Sequence, residues 1–179
     1  MTQSNVWDPL VRMTHWGVAL GIILNGAIVD KDSNLHETVG YTVLALVGLR
    51  LIWGLIGTRH ARFRDFPLDP GAAMEQLSDM IGGRKRIHLG HTPLGALMIY
   101  NLWASILMIC LSGYMMTTNT FWGVEWVEEV HELFANWVFF SAVLHVAAVI
   151  LESRRTGVNL PRAMVTGVKT LPEEKATSA

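Results

Sequence analysis

Four long apolar runs alternate with polar segments along this chain, near residues 9–29, 36–57, 93–116 and 130–151. Each is long enough to cross a bilayer, which needs about 20 apolar residues. Local signals mark where helices begin: Asp8-Pro9 opens the first run and Thr92-Pro93 the third, each a capping side chain followed by proline at the first helical position. Between the second and third runs, residues 58–92 contain LDPGAAMEQLSDMIGGRKR. There Asp69-Pro70 predicts a helix start and Gly82-Gly83 its end. Leu68, Met74, Leu77, Met80 and Ile81 suggest one apolar stripe, with Glu75, Gln76 and Asp79 elsewhere. The segment reads as a short helix lying at a membrane surface, or as one that simply packs on the bundle. The expected architecture is an all-α integral membrane protein, a bundle of four transmembrane helices over residues 1–155. A tail, 156–179, follows, with no usable motif from Leu160 onward.

Composition agrees with a lipid setting. Hydrophobic residues make up 51% and charged residues 16% of the 179, against roughly 25% charged in an ordinary soluble domain. The seven tryptophans gather toward the ends of the apolar runs, as interfacial aromatics do. A soluble protein with a large core does not explain four such runs in so short a chain. The N-terminus shows no basic segment before the first run and no small-residue cleavage site after it, so that run is expected to be retained.

Charge predicts orientation. Arg59, Arg62, Arg64, Arg84, Lys85 and Arg86 lie between runs two and three, and Arg154, Arg155, Arg162, Lys169 and Lys175 follow run four. The other side holds only Lys31. The positive-inside rule then puts both termini and the long loop in the cytoplasm. Asp30, Asp32, Glu37, Glu125, Glu128, Glu129 and Glu132 fall on the outer side. They form either a steering surface for a basic partner or the ordinary complement of positive-inside sorting.

Against this frame, four histidines stand out in apolar surroundings. An imidazole in hydrocarbon is costly unless something binds it, so each is a functional candidate. His131 and His145 lie fourteen residues apart in run four, on one helix face and ~21 Å apart along the axis. His15 is in run one and His36 opens run two. With run one directed outward and runs two and four inward, His15 shares the inner level with His145, and His36 the outer level with His131. The pattern predicts two axial pairs.

Two histidines per level suit haem iron better than zinc, which takes three or four protein ligands. Cys110, the sole cysteine, has no partner for a thiolate cluster, and no C-x-x-C-H run is present, so covalent attachment is excluded. Non-covalent b-type haem, two per chain, fits. Ala135, Ala142 and Gly40 leave space for a flat ring, although small residues also serve plain helix packing. Arg50, fourteen residues beyond His36, and Arg12, one turn before His15, are candidates for neutralising haem propionates. The alternative for both is a snorkelling arginine at the interface. His60 and His88, among basic residues, are expected to be solvated.

VWDPLVRMTHW, H-x-x-x-G with a downstream RLIWGLIG, G-H-T-P-L-G-A, and HE-x-x-AN followed by the second histidine of run four resemble the prokaryotic cytochrome b561 family. That broad family includes the b-type cytochrome subunits of nickel–iron hydrogenases. The resemblance covers essentially residues 6–155; relatives often carry asparagine where Thr92 stands. It implies a four-helix di-haem membrane cytochrome of the bacterial inner membrane, with axial ligands at His15, His36, His131 and His145.

The resemblance also implies electron movement between the membrane quinone pool and a partner, either a periplasmic cytochrome c or an oxidoreductase subunit. His91, at the cytoplasmic start of run three, is a candidate for the quinone site, or an ordinary helix-end histidine. Two other functions remain open: a standalone superoxide:quinone oxidoreductase, against which the acidic outer face argues, and a metal-ion transporter using intramembrane histidines. The transporter reading expects polar residues along a path, and the runs offer few. Nothing suggests nucleic acid as a partner; a homodimer stays open.

Overall fold

The computed structural model describes residues 2–84 and 86–171. Lys85 and Lys175, two of the basic residues used for orientation, lie outside them. Among the described residues six α-helices form: α1 (Pro9–Ala27), α2 (Asn34–Ile56), α3 (Pro70–Ile81), α4 (Pro93–Met116), α5 (Glu125–Thr156) and α6 (Leu160–Thr166). Side-chain oxygens cap most of their N-termini. Asp8, Ser33, Asp69, Thr92 and Asn159 accept from the backbone N–H of Val11, His36, Ala72, Gly95 and Arg162, satisfying donors that a helix leaves orphaned. Asp8 does more: its second oxygen accepts from the Trp53 indole at 2.9 Å and the Thr58 hydroxyl at 2.6 Å, joining the start of α1 to the end of α2.

α5 begins five residues before the apolar run that predicts it. Glu125 and Glu128 fill its first turn, where acidic side chains complement the helix dipole but add no hydropathy. Gly157 ends it in the left-handed conformation at φ 73°. The tail also has structure. After α6, strand β2 (Val168–Leu171) pairs antiparallel with β1 (Thr2–Asn5), Thr2 opposite Leu171 and Asn5 opposite Val168. Four-residue strands with no long alternation carry no periodic signal, so the pattern does not reveal this ribbon.

The long helices run antiparallel to their neighbours. Contacts pair Gly17 with Leu46 and Gly21 with Val43 across α1 and α2. His131 with Ile109 and Ser141 with Asn101 pair across α4 and α5. A Cβ on Gly26 would stand 2.0 Å from the Phe139 ring, so the glycine gives that ring its place between α1 and α5. Val43, Val47, Ile106 and Val138, from α2, α4 and α5, form the central core. Elsewhere the helices expose large apolar groups: Leu55 and Val143 at 70% and Phe140 at 60%. Helices this apolar on their outer faces require lipid, and the chain is a membrane protein. Among the described residues α2, α4 and α5 are long and apolar enough to cross a bilayer. α1, with 19 residues, includes Arg12, His15 and Asn25, whose polarity offsets its apolar positions.

Candidate functional site

The structure brings the four histidines together in two pairs. On one level the rings of His36 and His131 face each other with centroids 6.2 Å apart and planes at 58°. On the other, His15 and His145 stand 6.4 Å apart at 55°. An imidazole nitrogen binds a metal at ~2.0–2.1 Å and the ring centre lies ~1.1 Å further, so two rings on opposite sides of one ion stand about 6.3 Å apart. Both pairs fit that spacing. Among the described residues, no group of three or more His, Cys, Asp or Glu side chains is placed to hold a metal ion. Each level therefore offers two nitrogen ligands.

His131 is oriented by α4. Its Nδ1 lies 3.0 Å from the Ile109 carbonyl and 3.1 Å from the Ser112 hydroxyl oxygen. A carbonyl can only accept, so Nδ1 carries the proton and donates, which leaves the lone pair on Nε2 for a metal. Ser112 directs its own hydroxyl to Met108 or Ile109 carbonyls, at 2.8 and 3.1 Å. A Cβ on Gly113 would come within 3.2 Å of the His131 ring, so the glycine gives the imidazole its seat. The Ser112-Gly113 pair was the sequence's one signal for this, and small residues in a membrane run are too common for it to be read. Beside this pair, a cleft is lined by His36, His131, Gly40, Asn25, Ala135 and Cys110 among others. Asn25 donates to the His36 carbonyl at 2.9 Å.

At the other level, the His15 Nδ1 is buried with no hydrogen-bond partner, as is that of His36. Trp16 meets the His15 ring edge-on, centroids 5.0 Å apart. Arg50 is only 6% exposed. Its Nη2 donates to the Ala61 carbonyl at 3.2 Å and its guanidinium lies 5.1 Å over the Trp103 ring, while Nη1 is buried without an acceptor. A buried N–H without a partner costs about 1–3 kcal/mol, so this arginine suits an anionic ligand group. Arg12 donates from Nη1 to the Thr166 carbonyl at 3.3 Å, and its Nε is buried and unpartnered.

His91 is packed against aromatic rings, its centroid 4.5 Å from that of Trp7 and 4.4 Å from that of Phe66. Burial, followed by the positive charges of Arg50, Lys169 and His60, pushes it down to about 3, so it is neutral at any physiological pH. Its Nδ1 is buried without a partner. His88, expected among basic residues to be solvated, is half-buried: its Nδ1 is enclosed, and burial lowers its pKa. Lys169, read only as a basic tail residue, is 3% exposed and donates to the carbonyls of His88 and Gly90 at 3.2 and 2.9 Å.

No curated protein and no solved structure matches the chain. A family model described as prokaryotic cytochrome b561 matches residues 6–167, which includes all four histidines, both arginines and α6. With paired imidazoles between apolar helices and a match over nearly its whole length, the chain belongs to the prokaryotic cytochrome b561 family, b-type haem proteins of membrane electron transfer.

Proposed function

We propose that this chain holds two b-type haems between four membrane helices, α1, α2, α4 and α5, with both termini and the α2–α4 loop on the cytoplasmic side of a bacterial inner membrane. The observation that carries the proposal is the presence of two imidazole pairs at 6.4 and 6.2 Å, with one member of each pair on α5. α1 counts as a crossing because it packs antiparallel along α2 and carries His15 to His145. Haem iron held by two imidazoles gains and loses one electron at a time. The protein binds the irons through His15 with His145 and His36 with His131. The Ile109 carbonyl fixes the His131 tautomer, and Gly40 and Ala135 keep room beside the outer pair. Arg50, with Nη1 free, and Arg12, with Nε free, are the groups suited to propionate carboxylates.

The physiological role is electron transfer between the quinone pool and a periplasmic partner, a cytochrome c or an oxidoreductase subunit. The acidic residues on the side of His36 and His131 support a basic partner there, and the unpartnered His91 Nδ1 supports a quinone contact on the cytoplasmic side. A reduced-minus-oxidised spectrum with haem and protein quantified on the same purified sample tests the proposal. Two haems per chain are expected; a single one would end the two-level reading.

A further inference from the structure

His131 and His15, on different levels, are held by different means. His131 hangs from α4 through its own Nδ1, whereas the His15 Nδ1 has no hydrogen-bond partner. The His15 ring instead abuts Trp16 edge-on at 87°, and Trp16 is tied to the C-terminal segment, its indole N–H donating to the Met164 carbonyl at 3.3 Å. One turn before His15, Arg12 donates to the Thr166 carbonyl. Both acceptors belong to the last turn of α6, where carbonyls have no partner within the helix.

The contact continues past α6. The Gly167 carbonyl accepts the backbone N–H groups of Val6 and Trp7 at 2.9 and 3.1 Å, and β2 then pairs with β1. Gly167 has φ +86°, and a Cβ there would lie 2.7 Å from the Trp7 carbonyl oxygen and 3.0 Å from Arg12 Nη1. Lys169 fastens the strap to the loop before α4 and lies 5.3 Å over the Trp7 ring. The segment thus follows the chain from Thr2 to Trp16 and stops at the residue beside His15.

We propose that residues 160–171 are a positioning element for the His15–His145 site, with Trp16 transmitting their placement to the His15 ring. This rests on the reading of His15 as an axial ligand. Ring orientation and the surroundings of an axial imidazole set both the potential and the spectroscopic signature of a bis-histidine iron. A strap that only steadied the fold would lower thermal stability without singling out one level.

The test uses full-length protein in detergent, with redox titration and low-temperature electron paramagnetic resonance of the ferric state. Trp16→Phe keeps an aromatic ring and removes the N–H donor. Gly167→Ala disturbs the strap at a distance from the rings. His15→Met and His131→Met serve as references that show which signal belongs to which level. Trp16→Phe and Gly167→Ala are expected to shift the signal and midpoint that His15→Met alters, and to leave in place those that His131→Met alters. Unchanged signals in both variants, or equal shifts at both levels, would overturn the proposal. If Gly167→Ala does not fold, Trp16→Phe decides alone. Were His15→Met to alter neither signal, the ligand assignment would fall and the positioning role with it; a normal His15→Met response beside an inert Trp16→Phe would remove only the strap.

Discussion

The Nδ1–H of His131 has two acceptors, the Ile109 carbonyl and the Ser112 oxygen. Hydrogen-bond donation from the far nitrogen makes an imidazole a stronger ligand and favours the oxidised metal. Ser112→Ala removes one acceptor, so in the proposed two-haem arrangement the midpoint of the haem held by His36 and His131 is expected to rise while the other stays, as read by redox titration. Arg50→Leu acts with the opposite sign. A buried positive charge favours the reduced, less positive iron, so its loss is expected to lower one midpoint or weaken haem retention. If both midpoints held in the titration, Arg50 would be only the Ala61 and Trp103 contact that the structure shows. At this scale the sequence exposes the ligand candidates themselves, because a histidine in an apolar run is conspicuous. It conceals what orients them: a backbone carbonyl has no residue type to betray it, and Trp16 looks like any interfacial tryptophan.

Among the elements, helix starts were legible because capping is local chemistry, and Asp8-Pro9 or Thr92-Pro93 announces itself within two residues. What those caps do at long range was not. Asp8 also accepts from Trp53 and Thr58, contacts over more than forty residues that no window along the chain includes. Burial alone would raise the Asp8 pKa, but these hydrogen bonds and those from Val11 and Leu10 outweigh it and hold it below the usual 3.8. Its contribution to stability is therefore present above the ordinary aspartate range and lost as pH falls below it. Asp8→Ala is expected to cost about 0.5–2 kcal/mol for the cap, visible as a lower melting temperature at neutral pH and a smaller difference from wild type in acid. The start of α5 shows the converse limit. Glu125 and Glu128 suit a helix N-terminus, yet hydropathy stops at the apolar boundary and places the helix five residues short.

At the scale of the molecule, the two ends of the described chain meet, and Lys169 is where they are fastened. Burial, opposed by Glu152, pushes its ammonium down to about 8. The unfolded chain holds that proton to a higher pH, so between about 8 and the usual 10.5 stability is expected to rise as the burial cost of the charge disappears. Comparing the pH dependence of thermal unfolding in wild type and Lys169→Met isolates this: the difference in slope should appear in that window and not below it. Composition could not reveal the strap, because twelve residues of 179 contribute little to any average. The pairing of His15 with His145 and of His36 with His131, by contrast, followed from helix direction and spacing alone. Replacing either member of a pair by methionine is expected to raise the midpoint of the same haem. If His36→Met and His145→Met altered one haem while His131→Met altered the other, the depth assigned to those residues would have to be abandoned. Finally, α5 carries one histidine of each pair, at ~21 Å separation on a single rod. Filling either site fixes the rotation and height of that rod and so lowers the ordering cost of filling the other. Haem loading should then be cooperative, with empty and doubly loaded chains dominating a partial reconstitution and singly loaded ones scarce.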